Sequence, residues 1–210
     1  MKIEWLGRIP YEDGLMRQEQ FVEHCLLTGE ESVLLLEHEP VYTIGRRLDK
    51  SSLRDAARLP YPVFETNRGG QATFHGPGQL VGYPILDLRA RGRDLHRYLR
   101  TLESLLINSL AEFGISARSI EDKTGVWVGD RKIASIGVGV RRWITMHGFA
   151  LNVSRDLAGF SHITPCGLAD VTMTSISLEI GQEVTVSTAR LRIGKHLRQY
   201  LGKVCLQTPP

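Results

Sequence analysis

Cysteine is scarce in this chain: three in 210 residues, at positions 25, 166 and 205. The count is odd, the spacings are wide and no CxxC pair occurs. That argues against a disulfide framework, a zinc ribbon and a dithiol redox motif, and it fits a reducing compartment. Long apolar runs are also missing. Nothing approaches the roughly 18 consecutive apolar residues of a membrane span, and the opening MKIEWLGRIPYEDG lacks the apolar segment of a signal peptide. A cytoplasmic, soluble protein with no membrane partner is therefore expected. Charge of one sign is not in excess, with 26 Lys and Arg against 23 Asp and Glu. The basic residues are spread rather than striped, so no nucleic-acid partner is expected. The net charge of +3 still allows a modest basic face toward an acidic protein. The seven histidines never fall in HxxxH or HExxH spacing, so no metal site is expected.

What is present is ordinary globular composition, 42% hydrophobic and 23% charged, in a length that suits one domain over residues 1–210. Residues 2–9 alternate weakly and read as a first strand. Leu15, Met16, Val22, Cys25 and Leu26 recur at helical spacing across 12–28. SVLLLE at 32–37 is an apolar run of strand length, interrupted at Pro40 and expected to resume over 41–44. Residues 45–62 read as a long charged loop, of the kind that often forms a functional lid. A short strand over 62–66, a Gly-rich loop over 68–79 and a strand over 80–88 follow. Asp94 caps a strong helix to about Phe113, which Gly114 ends. Residues 125–128, 132–140 and 144–153 read as a meander of three strands, the first two joined at Gly129-Asp130. A basic amphipathic helix over 184–202 comes near the end. Grouped strands with two or three long helices indicate an α+β fold with a mixed, mainly antiparallel sheet.

Chemistry concentrates in loops. Arg68-Gly69-Gly70-Gln71-Ala72-Thr73-Phe74-His75-Gly76-Pro77-Gly78-Gln79 carries four glycines in positions 69–79. Such a loop lets a ligand approach the main chain and offers N–H donors to an oxygen. It lacks the Lys-Ser/Thr ending of a P-loop and is not GxGxxG. Cys166 sits between Pro165 and Gly167 in a predicted loop, whereas Cys25 lies on a helix stripe and Cys205 near the terminus. Lone cysteines are mostly small buried hydrophobes, so Cys166 stands out by its setting alone. Lys132 flanks the Gly129-Asp130 turn, where surface lysines are common. If its side chain points inward beside the thiol, an ammonium stabilises the thiolate. At about 4 Å and an effective dielectric of about 20 the attraction is of order 4 kcal/mol before desolvation. His75 and His147 each suit polarising a group or orienting a carbonyl, although hydrogen-bonded structural histidines are the commoner case, as for His38.

Taken together these segments resemble one family, the bacterial lipoyl(octanoyl) transferases. Its RGGxxTxHGPGQxxxY pattern matches Arg68 to Gln79 with Tyr83. Its K[IV]x[AS][IL]G segment matches Lys132 to Gly137, its HGxA[LF]N segment His147 to Asn152, and its [IN]xPCG segment Ile163 to Gly167. Glu37 to Gly45 is similar to a further segment, and the matches run in order over about residues 35–170.

The resemblance implies an α/β two-layer domain with packed helices, like the catalytic domain of biotin and lipoate protein ligases. It implies a nucleophile at Cys166, an activating lysine at Lys132, and acyl contacts over Arg68–His75, at Ser135, Ile136 and Gly137, and at Gly148, Phe149 and Ala150. His147, Asn152 and Tyr83 would support them. The implied donor is octanoyl-acyl carrier protein. The implied acceptors are lysines of lipoyl domains in 2-oxoacid dehydrogenases and of the glycine cleavage H protein. Exchange between thioesters is nearly isoenergetic, so neither ATP nor a cofactor is expected. Oxyanion donors are expected near Gly167 or in the 69–78 loop.

Overall fold

The structure, a computed structural model, describes residues 1–46, 52–53, 58–164 and 171–202. Cys166, Gly167 and Cys205 lie outside the described residues, as does much of the 45–62 segment.

Strand β1 (Lys2–Ile9) leads into α1 (Tyr11–Thr28), which returns the chain to β2 (Ser32–His38), parallel to β1. Helix α1 stops where Gly29 takes a left-handed φ of 73° and donates its N–H to the Cys25 carbonyl. Strand β2 is apolar over its middle, Val33 to Leu36, because both of its faces are covered there. Val33 and Leu35 join one core, Leu34 and Leu36 another.

The chain next makes a small separate sheet. In it β3 (Val41–Ile44) lies between β4 (Val63–Glu65), which is parallel to it, and β5 (Thr73–His75), which is antiparallel. Two sequence expectations change here. Residues 41–44 do not resume β2; after Glu39-Pro40 the chain leaves the large sheet. The 68–79 segment is not loop throughout, since its middle three residues pair with β3.

Strand β6 (Gln79–Ile85) re-enters the large sheet against β2. Asp94 then caps α2 (Leu95–Ala111) by accepting from the Arg97 amide. The meander follows as β7 (Arg118–Ile120), β8 (Lys123–Val128), β9 (Arg131–Arg141) and β10 (Ile144–Asn152). The short β7 escaped the sequence reading, as did α3 (Ile176–Ile180). Helix α4 (Val186–Leu201) closes the described chain. The seven-stranded sheet has the order β1-β2-β6-β10-β9-β8-β7, parallel only at β1–β2, so it is mixed and mainly antiparallel as expected.

Helices α2 and α4 bury one face of this sheet through Tyr98, Leu102, Leu105, Leu106, Ala189, Ile193 and Leu197. Helix α1 lies on the other face, where Phe21, Val22 and Cys25 pack on Ile85, Ile144 and Met146. The small sheet shares that second face, since the Tyr11 ring meets those of Phe64 and His75. No helix among the described residues is long and apolar enough to cross a membrane.

Candidate active site

On the α1 face a narrow cavity of ≈ 50 Å³ opens between the two sheets. At 10–15 Å³ per water it has room for a few water molecules as it stands. Its floor is two paired segments of the large sheet: Gly148 faces Gly137, Phe149 faces Ile136 and Ala150 faces Ser135. Its wall is Arg68–Thr73 with His75, and Tyr11, Val81, Tyr83 and His147 complete the lining. The wall can lie directly on the floor because β9 has glycine there. The Gly69 amide donates to the Val138 carbonyl at 2.9 Å, and a Cβ on Gly137 would come within 3.0 Å of the Gly69 carbonyl and 3.2 Å of the Arg68 Cδ.

Arg68 is an anchor of this wall. Its guanidinium donates to Thr43 Oγ1 and to the Thr43, Gly69 and Gln71 carbonyls, pinning the loop to β3. Thr73 Oγ1 is buried and has no hydrogen-bond partner among the described residues. In the loop the amides of Gly69, Ala72, Gly78 and Gln79 already donate to Val138 O, Ser52 Oγ, Glu37 Oε1 and Gly76 O. Gly70 and Gln71 also line the cavity.

Phe74 departs from the expectation that it contacts substrate. As the middle residue of β5 it points away from the cavity, into a cluster with Tyr42, Tyr61 and Phe160. Asn152 does not line the cavity either; its carboxamide accepts from Gln79 and donates to the Thr174 carbonyl. Conversely, sequence reasoning missed Tyr11 and Val81, because nothing local marks the first residue of a helix or one valine of a strand as a cavity wall.

Three histidines gather on this face. His38 contacts the Ile9 carbonyl through Nδ1 and the Tyr83 hydroxyl through Nε2 at 2.7 Å. His147 has a left-handed φ of 56°; its backbone N–H donates to Gln18 Oε1 and its ring meets Asn67 Oδ1 at 2.5 Å. Burial pulls His38 down to about 4. Burial, then the neighbouring His38, takes His75 to about 3, and burial with the Arg68 charge takes His147 to about 3. All three rings are neutral at pH 7, so none offers a resident positive charge. Burial pushes Tyr11 up to about 12 and raises Tyr83 strongly. Among the described residues no three acidic, Cys or His side chains are arranged to hold a metal.

Lys132 is not a cavity residue but lies on the same strand, three positions from Ser135, about 10 Å along β9. Despite its charge it is 1% exposed. Its Nζ donates to the Thr124 carbonyl at 3.0 Å and sits 5.2 Å from the Trp127 ring centroid. Gly125 makes this passage possible. It has φ +130°, and a Cβ there would lie 2.6 Å from Lys132 Cε and 2.7 Å from the Ala134 carbonyl. Beyond the end of β10, residues 172–174 run beside β9: the Lys132 amide donates to Thr172 O, and the Thr174 amide donates to Lys132 O. The chain on either side of the 165–170 segment is therefore fixed, at Thr164 by the hydrogen bond its N–H donates to the Ser52 carbonyl and at Thr172–Thr174 by Lys132.

Residues 10–198 match the family model described as the lipoyl protein ligase A/B catalytic domain. An octanoyltransferase from a Geobacter species is 52% identical over 196 residues, covering 93% of this chain and 95% of that protein. An octanoyltransferase from Citrifermentans bemidjiense is 55% identical over 181 residues, covering 86% and 87%. Among solved structures, a lipoate-protein ligase A bound with ATP superposes with a TM-score of 0.73 at 17% identity, covering 95% of this chain and 85% of that one. At that identity it speaks for the fold alone.

Proposed function

The chain belongs to the lipoyl protein ligase A/B catalytic-domain family, and we propose that it moves an octanoyl group from an acyl carrier protein thioester to a lysine of a lipoyl domain, through a thioester on Cys166. The Cys166 thiolate attacks the donor carbonyl carbon. The new carbon–sulfur bond forms as the bond to the carrier thiol breaks, and that thiol leaves with a proton. The acceptor amine, in its neutral form, then attacks the Cys166 thioester. An amide forms, the amine gives up one proton and the Cys166 thiolate is restored. Lys132 stabilises the negative sulfur and offers a nitrogen through which these protons pass. The octanoyl tail lies in the cavity against Gly148–Ala150, with its carbonyl oxygen toward the loop wall and the Thr73 hydroxyl.

The observation that carries this reading is the placement of a buried lysine and a glycine-floored cavity on one strand, in a chain about half identical to octanoyltransferases. The test is to mix the protein with octanoyl-acyl carrier protein without nucleotide, then add a lipoyl domain. A hydroxylamine-labile octanoyl adduct on Cys166 that disappears into acceptor amide is the expected result. Transfer that needs ATP and releases pyrophosphate would replace this reading with a ligase.

A further inference from the structure

A hydrogen-bonded chain crosses the protein from the cavity wall to Lys132, and its direction can be read from its ends. At one end Arg68 donates through Nε and a terminal nitrogen to Thr43 Oγ1, at 3.2 and 2.7 Å. That oxygen is left to donate its own proton, toward His75 Nε2 at 3.5 Å. The other ring nitrogen, Nδ1, meets Gln79 Oε1 at 2.8 Å. The Gln79 amide is oriented by the Phe74 carbonyl, which accepts from its Nε2 at 3.2 Å; the same nitrogen donates to Asn152 Oδ1 at 2.9 Å. Asn152 is oriented in turn by the Thr174 carbonyl, an acceptor only, which takes its Nδ2 at 3.0 Å. Thr174 donates its amide to Lys132 O at 2.9 Å and its hydroxyl to Glu179 Oε1 at 2.5 Å. Arg131, the residue before Lys132, holds Glu179 through Nε and a second nitrogen, each at 2.9 Å.

Every link from Arg68 to Thr174 thus has its donor on the cavity side. One reversed member would set two acceptors or two donors face to face in a buried site, which is costly. We infer that Gln79, Asn152 and Glu179 are positioning residues: they fix the segment 172–174 and Lys132 relative to the acyl cavity, and the chain requires His75 as its neutral, Nδ1-protonated tautomer. The inference rests on the acyl-transfer reading above for its kinetic consequence, but not for its geometry.

Two variants and one spectrum test it. Gln79→Glu keeps the shape but sets an oxygen against Asn152 Oδ1 and the Phe74 carbonyl. Single-turnover octanoylation of Cys166 should fall about 100-fold, the scale of an ångström-sized misplacement, with KM for octanoyl-acyl carrier protein within twofold of wild type. Glu179→Gln, at the far end and partly exposed, should fall about tenfold with the same unchanged KM, and it covers the case in which Gln79→Glu does not fold. Nitrogen NMR of the wild-type protein at pH 7 should show His75 protonated at Nδ1. Wild-type octanoylation rates in folded variants, or losses that only follow melting temperature, would overturn the positioning role. An Nε2-protonated His75 would overturn the direction of the chain. If the wild-type protein forms no octanoyl adduct at all, the acyl-transfer reading fails instead, while the tautomer still decides the hydrogen-bond chain.

Discussion

The two faces of the seven-stranded sheet are built from alternate residues of the same strands, yet they have little in common. Under α2 and α4 the sheet buries Val33, Leu35, Leu80, Ala134, Phe149 and Leu151, an almost wholly aliphatic layer. Toward α1 and the small sheet, Leu34, Leu36 and Val81 share the space with His38, Tyr83, His147, Gln18 and Arg68. The period of two in a strand lets neighbouring residues serve opposite purposes. One face supplies apolar burial, roughly 25 cal/mol per Å². The other spends part of that burial on polar groups: the His38 and His147 rings are hydrogen-bonded and neutral, and the Arg68 guanidinium is buried but bonded to Thr43, Gly69 and Gln71. Lys132 is buried as well, its Nζ donating to the Thr124 carbonyl and lying near the Trp127 ring.

That contrast can be broken from either side. Cys166→Ala should lower transfer by more than about 1,000-fold, as loss of a covalent nucleophile does, and Lys132→Ala by about 100-fold. Single-turnover octanoylation measures both, and melting curves confirm folded protein. Leu102→Ala, on the helix-covered face, should do the reverse. It should cost about 2–5 kcal/mol of stability in denaturant titration and leave kcat per folded molecule unchanged.

The histidine face should announce itself through pH. With His38 held at about 4 and His75 and His147 at about 3, the folded chain stays unprotonated at these rings while the unfolded chain, near 6.5, takes up protons. Their neutral burial is harmless above pH 6.5. Stability falls as pH drops below it, by up to about 1.4 kcal/mol per pH unit per histidine, and levels off once the folded rings protonate too. Denaturation midpoints between pH 7 and 4 would show the slope, and His38→Gln should reduce the histidine part of it by about a third. The smallest effect is expected from Gly137→Ala. Its Cβ presses the cavity wall at Gly69 and Arg68, so KM for the octanoyl donor should rise several-fold with little change in kcat.

Much of this architecture was legible in the sequence. The SVLLLE run, the capped leucine-rich helix after Asp94 and the meander read over 125–153 each have strong local patterns. What escaped was short or set by distant partners. Thr73-Phe74-His75 is three residues between glycines, too few to show a period, and only its pairing with β3 makes it a strand. That pairing also turns Phe74 away from the cavity. Val41–Ile44 has the composition of a continuing strand, and nothing near it says that it will leave for a second sheet. The Gly-rich loop after Arg68 disclosed the cavity wall because glycine marks close approaches of main chain, whereas Ser135–Gly137 and Gly148–Ala150 came only from the family resemblance. The link from Gln79 through Asn152 to Thr174 joins residues far apart in the chain, and no local signal predicts it.

The proposed reaction requires a sulfur, that of Cys166, to carry the acyl group between two proteins. Intact-mass and peptide mapping of the protein after brief mixing with octanoyl-acyl carrier protein, nucleotide-free, tests it most directly. One octanoyl group on Cys166, lost to hydroxylamine and absent in Cys166→Ala, is the predicted result. Acceptor octanoylated at the wild-type rate by the Cys166→Ala protein would contradict it.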